Sequence, residues 1–251
     1  MAKQKGILKL EGTIGDITFY RSQDGYLARE KGGVSGDRIA SDPKFQRTRE
    51  NGSEFGSAGK AGKVLRDSLR VLLQNSSDNR MVSRLTQQMV KVLQADTVSV
   101  RGKRNVIDGE AELLEGFDFN LNGKLNNTLY APYTSTITRA SGLLNVSVPS
   151  FIPSNMIAAP DGTTHFKIVS SGLEIDFENG VYITDTQTTG FMNWDEVATS
   201  IIDLDNQVTA NSTHPLFLVL GVEFYQEVNA VKYPLKNGAY NALTIVKVSG
   251  M

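Results

Sequence analysis

The chain has 251 residues, with 26 Lys and Arg against 27 Asp and Glu, and it contains no Cys. The lack of Cys excludes a thiolate nucleophile, a thiolate metal site and a disulfide framework, because each of these requires the sulfur. The length allows two modest domains or one large one, and either buries enough apolar surface to fold without covalent cross-links.

The near-neutral net charge hides an asymmetry along the sequence. Residues 1–110 carry 20 Lys and Arg and 13 Asp and Glu, a balance of +7, whereas residues 111–251 carry 6 and 14, a balance of −8. Such a split suggests an acidic partner for the first part, or head-to-tail contact between copies of the chain. Two solvated surfaces that differ by chance explain it equally well.

The first residues do not resemble a targeting segment. The apolar run at residues 7–10 is too short and too charged for a signal peptide, so we expect the chain to be cytoplasmic or incorporated into a particle. No stretch approaches the roughly 18 apolar residues that span a bilayer. The longest candidate is residues 215–222, and we therefore expect no membrane integration.

The N-terminal part predicts a small β-meander. Strands are expected at residues 7–10, 17–21 and 26–29, and the Asp-Gly pair at residues 24–25 is a strong signal for a tight hairpin. A sheet this small is marginal alone, so its apolar face must be covered by the chain's own helices or by another copy. The glycine-rich residues 31–36 that follow are expected to form a hinge or a plain loop. The candidates for assembly through this unit are Leu8, Leu10, Ile17, Phe19 and Tyr20.

A basic helical region is expected next. A capping signal at residues 41–43 marks the first helix start, and residues 61–73 and 82–93 show the apolar spacing of two helices that form an antiparallel hairpin. Four glycines within residues 52–62 suggest a helix that another helix approaches closely, or a broken helix.

From about residue 125 the sequence predicts strands without convincing helices. Short apolar runs alternate with turn signals, and residues 216–225 are almost continuously apolar, as in a strand buried on both faces. This pattern is typical of an antiparallel sandwich of immunoglobulin-like size. The prediction is an α+β protein with three regions. They are a β-meander and hinge at residues 1–35, a basic helical region with the helical hairpin at residues 36–124, and an acidic antiparallel immunoglobulin-like β-sandwich at residues 125–251.

The sequence contains no recognisable catalytic motif. Its two histidines, His165 and His214, lie outside metal-ligand spacings and away from any nucleophile elbow. Residues 56–64 lack the glycine spacing of a phosphate-binding loop, Val64 stands in place of its hydroxyl residue, and no hydrophobic strand precedes them. The acidic residues 203–205 lack the rest of a calcium loop, so we interpret them as an acidic loop. We expect a protein that is not an enzyme and that has no cofactor and no metal.

Nucleic-acid binding by the helical region is the alternative, because phosphate binding needs clustered Lys and Arg and little else. Interspersed acidic residues and the modest positive excess argue against it. The basic residues that would line one face are Arg80, Arg84, Lys91, Arg101, Lys103 and Arg104.

Several stretches resemble an uncharacterised family of small bacterial proteins that share the opening KGILKLEGTIGDITFY, here residues 5–20. The resemblance continues through residues 29–33 and 47–56 and returns at residues 223–229 and 235–238, so it spans nearly the whole chain. It implies the same domain order and assigns no catalytic residue.

These observations favour a structural role. We expect a non-enzymatic protein that assembles with copies of itself, or into a larger particle such as a filament or a virion, through its N-terminal β unit. The second hypothesis is a binding module whose basic helical region contacts nucleic acid. An enzyme assembled from distant loops is the third.

Overall fold

A computed structural model describes residues 2–30 and 32–250 of the chain. Lys31, the first residue of the expected hinge, lies outside the described residues. Helices and many antiparallel strands are both present, which confirms a mixed α+β protein. The chain forms two compact units, residues 1–49 and residues 50–251, and each is described by itself.

The N-terminal unit contains a four-stranded antiparallel sheet. Its strands are β1 Ala2–Lys3, β2 Gly12–Ile14, β3 Ile17–Ser22 and β4 Gly25–Glu30. They lie in the order β1-β4-β3-β2. The predicted hairpin is confirmed, since Ser22 pairs with Gly25 across the turn. Gly25 has a φ of 101°, a conformation that glycine adopts at little cost.

The strand expected at residues 7–10 is wrong. These residues form a loop, and β2 pairs with β3 in their place. The side chain of Gln4 holds the loop, because its amide oxygen accepts a hydrogen bond from the Leu10 backbone N–H at 2.9 Å. Its amide nitrogen donates to the backbone oxygens of Leu10 and Leu27. A side chain thus satisfies backbone groups that a strand partner satisfies in a sheet.

Short capped turns lead into the longest helix. Ser35 caps α1 Gly36–Ser41 by accepting from the Arg38 backbone N–H, and Asp42 caps the turn Pro43–Phe45 in the same way through Lys44. The predicted helix-start signal at residues 41–43 is therefore confirmed. The helices that follow are α2 Gln46–Ser68, α3 Arg70–Leu73 and α4 Met81–Gln94.

The four glycines of α2 do not break it. A Cβ at Gly62 would contact Leu85 and Met89 of α4 at 3.7 to 3.8 Å, so the two helices approach each other closely there. At the three preceding glycines a Cβ would meet no atom within 4 Å. The expected close approach therefore holds at Gly62 and not at the other three positions.

The second unit adds nine strands in two antiparallel sheets. The strands are β5 Thr134–Thr138, β6 Leu143–Val148, β7 His165–Asp176, β8 Val181–Thr188, β9 Met192–Asn193, β10 Ile202–Gln207, β11 Leu216–Val228, β12 Val231–Pro234 and β13 Ala242–Ser249. The smaller sheet has the order β10-β6-β5. In the larger sheet β7 and β11 are central, β8 and β9 flank β7, and β12 and β13 flank β11.

Short helical turns also interrupt the region that the sequence predicted as strands alone. They are α5 Leu125–Thr128, α6 Pro153–Met156 and the 3-10 turn Leu235–Gly238. A further 3-10 turn, Ala111–Leu114, lies within the region that the sequence predicts as helical, residues 36–124. Each is about one turn long, which is too short to leave a periodic pattern in the sequence.

The acidic residues 203–205 do not form a loop, because they lie in β10. Ile202, Leu204 and Asn206 are buried there, whereas Asp203 and Asp205 are exposed. Alternation with a period of two is the pattern of a strand with one solvated face. This alternation is visible in the sequence. It is stronger evidence for a strand than the two aspartates are for a calcium loop.

The larger sheet is covered on both faces. On one face, apolar side chains of β7, β11 and β13 share a cluster with α2 and α4, including Leu65, Leu85 and Phe217. On the other face, side chains of β6 and β10 join those of β7 and β11, including Leu144 and Leu218. Burial on both faces explains the continuous apolar sequence of β11. The predicted helical and β regions on either side of residue 124 therefore share a core.

Candidate interaction surfaces

The N-terminal unit has almost no core. Among its described residues only Leu27 is buried. In the loop, Ile7 is fully exposed and Leu8 is 84% exposed, and three further large side chains, Leu10, Ile14 and Ile17, are each exposed by 45% or more. Several exposed large apolar side chains in one small unit make this unit a candidate interaction surface.

The structure separates the five assembly candidates into two groups. Leu8 and Leu10 lie in the loop, and the other three lie on β3. Ile17 and Phe19 share one face of β3, whereas Tyr20 points to the opposite face, where the Arg29 guanidinium lies 5.5 Å from its ring centroid. The single apolar face expected from the sequence is therefore wrong, because residues 7–10 are not a strand.

In the second unit the larger sheet ends on an open strand, β8. This strand pairs with β7 from Val181 to Thr188, and no strand in the described part of the chain pairs with its other side. The opposite edge differs, because the backbone N–H groups of Gly116 and Phe119 donate to β13. An open edge presents unpaired N–H and C=O groups to another strand.

Only the first half of this edge is open. In the second half, the Asp185 carboxylate accepts from the Gln207 backbone N–H of β10 at 2.7 Å, and its backbone oxygen accepts from the Asn206 side chain at 2.9 Å. In the first half, Val181, Tyr182 and Ile183 are all exposed. Residues 181–184 are called the β8 edge below.

A pocket of about 360 Å³ lies beside the β8 edge. Burial alone would raise the pKa of Glu174, but hydrogen bonds from the Ser212 hydroxyl at 2.7 Å and the Thr209 backbone N–H at 3.1 Å lower it below its ordinary value. Hydrogen bonds from the Asn179 side chain and backbone lower the pKa of Asp176. Both carboxylates are therefore charged at neutral pH, and the pocket combines negative charge with exposed apolar side chains.

Three of the six basic candidates are held by other groups. Arg84 forms an ion pair with Asp78, which precedes α4, and it donates to the Asp118 backbone oxygen at 2.7 Å. Arg101 lies 3.7 Å from the Glu50 carboxylate, and Arg104 lies 4.0 Å from that of Glu54. These side chains tie loops to helices. The other three candidates are exposed, namely Arg80, Lys91 and Lys103.

A cluster of ionisable and aromatic side chains lies on the larger sheet, which sequence reasoning missed. The Glu227 carboxylate is 3.0 Å from Lys232 Nζ and 3.4 Å from His165 Nε2. The Tyr225 hydroxyl donates to Glu223 at 2.6 Å, and burial together with this bond raises the Tyr225 pKa. The alternation of Glu223, Tyr225 and Glu227 along β11 is the signal that could have found the cluster.

This cluster also places a hydroxyl beside the imidazole, because Thr164 Oγ1 lies 2.9 Å from His165 Nδ1. The same hydroxyl oxygen accepts from the Glu227 backbone N–H at 2.7 Å, which ties it to the sheet backbone. The other histidine, His214, lies at the pocket beside the β8 edge. Among the described residues, no group of three or more His, Asp or Glu is arranged to hold a metal ion. The interaction surfaces are therefore the features with the clearest functional content.

Comparison with protein-family models, with curated proteins and with solved structures finds no match for this chain. No helix within the described residues is both long enough and apolar enough to cross a membrane. The geometry of the surfaces above is accordingly what a functional proposal must use.

Proposed function

We propose that this chain is a non-enzymatic structural protein that assembles with copies of itself, or builds into a larger particle such as a filament or a virion, through its N-terminal β unit. The observation that supports the proposal is that very little of that unit is buried. Leu27 is its one buried residue within the described part, while six of its large apolar side chains, Val34 among them, are exposed. A small sheet gains stability when another surface covers such side chains.

The magnitudes support association. Fully burying one Leu or Ile side chain contributes about 1.5–3 kcal/mol, so four of them contribute roughly 6–12 kcal/mol. Association costs an estimated 4–15 kcal/mol in lost freedom of motion. The exposed side chains of the N-terminal unit are thus sufficient in number to offset much of that cost.

Charge gives a second line of support. Residues 1–49 carry 10 Lys and Arg and 6 Asp and Glu, a balance of +4, whereas residues 50–251 carry 16 and 21, a balance of −5. Opposite charges on the two units of neighbouring copies attract each other and favour one orientation of contact.

The same proposal includes the finer fold expected from the sequence, an immunoglobulin-like sandwich in the second unit. Its support is the cluster that the smaller sheet shares with one face of the larger sheet. The helices on the other face are an addition to that plan. The proposed location remains the cytoplasm or a particle, with neither cofactor nor membrane integration.

Nucleic-acid binding by the basic helical region is less favoured. Half of its candidate residues lie against carboxylates, and a paired Arg contributes less to phosphate binding. Binding that falls steeply with added salt would favour this alternative.

The proposal is tested by measuring mass and shape. We expect the full chain to form large regular assemblies in light scattering and negative-stain imaging as its concentration rises. Deleting residues 1–35 should leave a folded, monomeric remainder, because the exposed apolar loop and sheet are removed. A truncated protein that still assembles, or a full chain that stays monomeric, contradicts the proposal.

A further inference from the structure

We propose that the partner of the N-terminal unit is a second copy of this chain, and that residues 6–10 of one copy add as a strand along the β8 edge of the next. This inference rests on the proposed self-assembly and names the surface that receives the N-terminal unit.

The donor segment is the loop that carries Ile7 and Leu8. No backbone-to-backbone hydrogen bond joins residues 6–9 to any other described residue. In an extended conformation, Lys5, Ile7 and Lys9 lie on one face of the segment, and Leu8 lies on the other. The segment therefore offers a backbone that is unpaired at residues 6–9, with an apolar centre between two lysines. At its end, Leu10 is held by the Gln4 side chain, and this bond must be exchanged when the segment adds as a strand.

The acceptor is the β8 edge, and its side chains also alternate. Cross-strand pairing places Val181 next to Asp176, and Ile183 next to Glu174, on the face that bears the pocket. Tyr182 lies on the opposite face. The acceptor thus offers an unpaired backbone, two apolar side chains and the Asp176 carboxylate on one face. The Glu174 carboxylate is buried and accepts from Ser212 and Thr209.

The two surfaces are complementary in their unpaired backbone groups, in their apolar side chains and in their charge. A strand added to an open edge gains main-chain hydrogen bonds, and its alternate side chains select the register. With Ile7 beside Val181 and Ile183, a flanking lysine comes near the Asp176 carboxylate, whereas Leu8 faces Tyr182. Opposite charges and paired apolar side chains across strands are both favourable.

Each surface is exposed within the described residues of its own unit. Ile7 is fully exposed, and Val181 is 59% exposed. Because the donor and the acceptor are different surfaces, the contact between copies is head to tail. Repeating such a contact produces a ring if the rotation closes and a filament if it does not.

Cross-linking tests the contact directly, because the chain has no cysteine of its own. Purified Ile7→Cys and Ile183→Cys proteins are mixed under assembling conditions and treated with a short bifunctional maleimide, which tolerates small differences in register. We expect a linked heterodimer. The matched control replaces Ile183→Cys by Val197→Cys, since Val197 is more accessible than Ile183, at 70% against 45%, and lies outside β8. A yield no higher than in this control overturns the proposal.

A second variant removes the dependence on cross-linking chemistry. Ile183→Lys places a like charge opposite Lys5 and Lys9, and we expect association to weaken by roughly tenfold or more. Val197→Lys should associate as the unmodified chain does. Circular dichroism checks that both variants are folded. Unchanged association of a folded Ile183→Lys protein contradicts the proposal.

The outcomes separate this inference from the proposed function. Assemblies that form without the Ile7 to Ile183 link leave self-assembly standing and reject the β8 edge as its acceptor. An Ile7→Cys/Ile183→Cys chain that links within itself at high dilution also rejects the second copy as partner. A full chain that stays monomeric at every concentration rejects self-assembly itself.

Discussion

Glu174 is a buried carboxylate that ties β7 to the segment between β10 and β11 through Ser212 and Thr209. Glu174→Gln replaces one acceptor oxygen by a donor and should lower the free energy of unfolding by about 1–3 kcal/mol at neutral pH. Urea denaturation measures this loss. Glu178→Gln, at an exposed residue of the turn between β7 and β8, is the matched control and should change stability little.

The same residue predicts a pH dependence. The pKa of folded Glu174 lies below its ordinary value, so the ionised form stabilises the fold above the unfolded pKa. This stabilisation is lost as the pH falls through the folded pKa. The stability difference between the unmodified chain and Glu174→Gln should therefore shrink on acidification, and a difference that stays constant would argue against this role.

Arg84 shows that a basic residue can be structural. It connects α4 to Asp78 and to the backbone of Asp118, and its guanidinium lies 5.2 Å from the Phe117 ring centroid. Arg84→Met leaves these acceptors unpaired and should cost about 1.5–3 kcal/mol of stability in a denaturation experiment. Arg80→Met, at an exposed neighbour, should be neutral. Equal effects of the two would show that the pairing contributes nothing.

At the scale of elements, the contact of α2 with α4 depends on Gly62. A Leu at this position would crowd Leu85 and Met89 and should destabilise the protein by about 1–3 kcal/mol. Gly59→Leu is the control, since its Cβ meets open space and Leu favours helix more than Gly does. Gly62→Leu should therefore lower the melting temperature, and Gly59→Leu should raise it. A Gly62→Leu protein as stable as Gly59→Leu would contradict the close approach.

Elements were predictable where the signal is local. The Asp-Gly pair fixed the hairpin of β3 and β4, and the apolar run at residues 216–225 identified most of β11. The loop at residues 5–11 was not predictable, because hydrogen bonds to the Gln4 side chain hold it, and such bonds produce no periodic pattern in the sequence. The alternation of apolar and polar residues in β10 was visible in the sequence. Two aspartates at the spacing of a calcium loop nevertheless led to the prediction of a loop.

The candidate surfaces were predictable only in part. The sequence marks residues 7–10 as apolar, and it predicts strands throughout the region after residue 125 that contains β8. Whether a strand is an edge depends on neighbours that are distant in sequence, so the openness of β8 needs the fold. The pairing of Arg84, Arg101 and Arg104 with carboxylates depends on tertiary structure in the same way.

At the scale of the whole molecule, the opposite charges of the two units predict that assembly weakens with salt. Raising the ionic strength from ~0.01 M to ~0.15 M shortens the Debye length from roughly 30 Å to 8 Å and screens this attraction. Light scattering across salt should show smaller assemblies, with a remaining salt-insensitive part that comes from apolar contact. Assemblies that grow with salt would contradict the charge contribution.

Leu27 is the one buried residue in the described N-terminal unit, and this low burial affects the chain before it binds a partner. A unit with so few buried contacts opens locally at little free-energy cost, so its amides exchange with solvent rapidly and its backbone is open to proteases. In the proposed assembly the apolar loop is covered, and the same amides should then exchange slowly. Deuterium uptake at residues 2–30 should therefore distinguish free molecules from assembled ones.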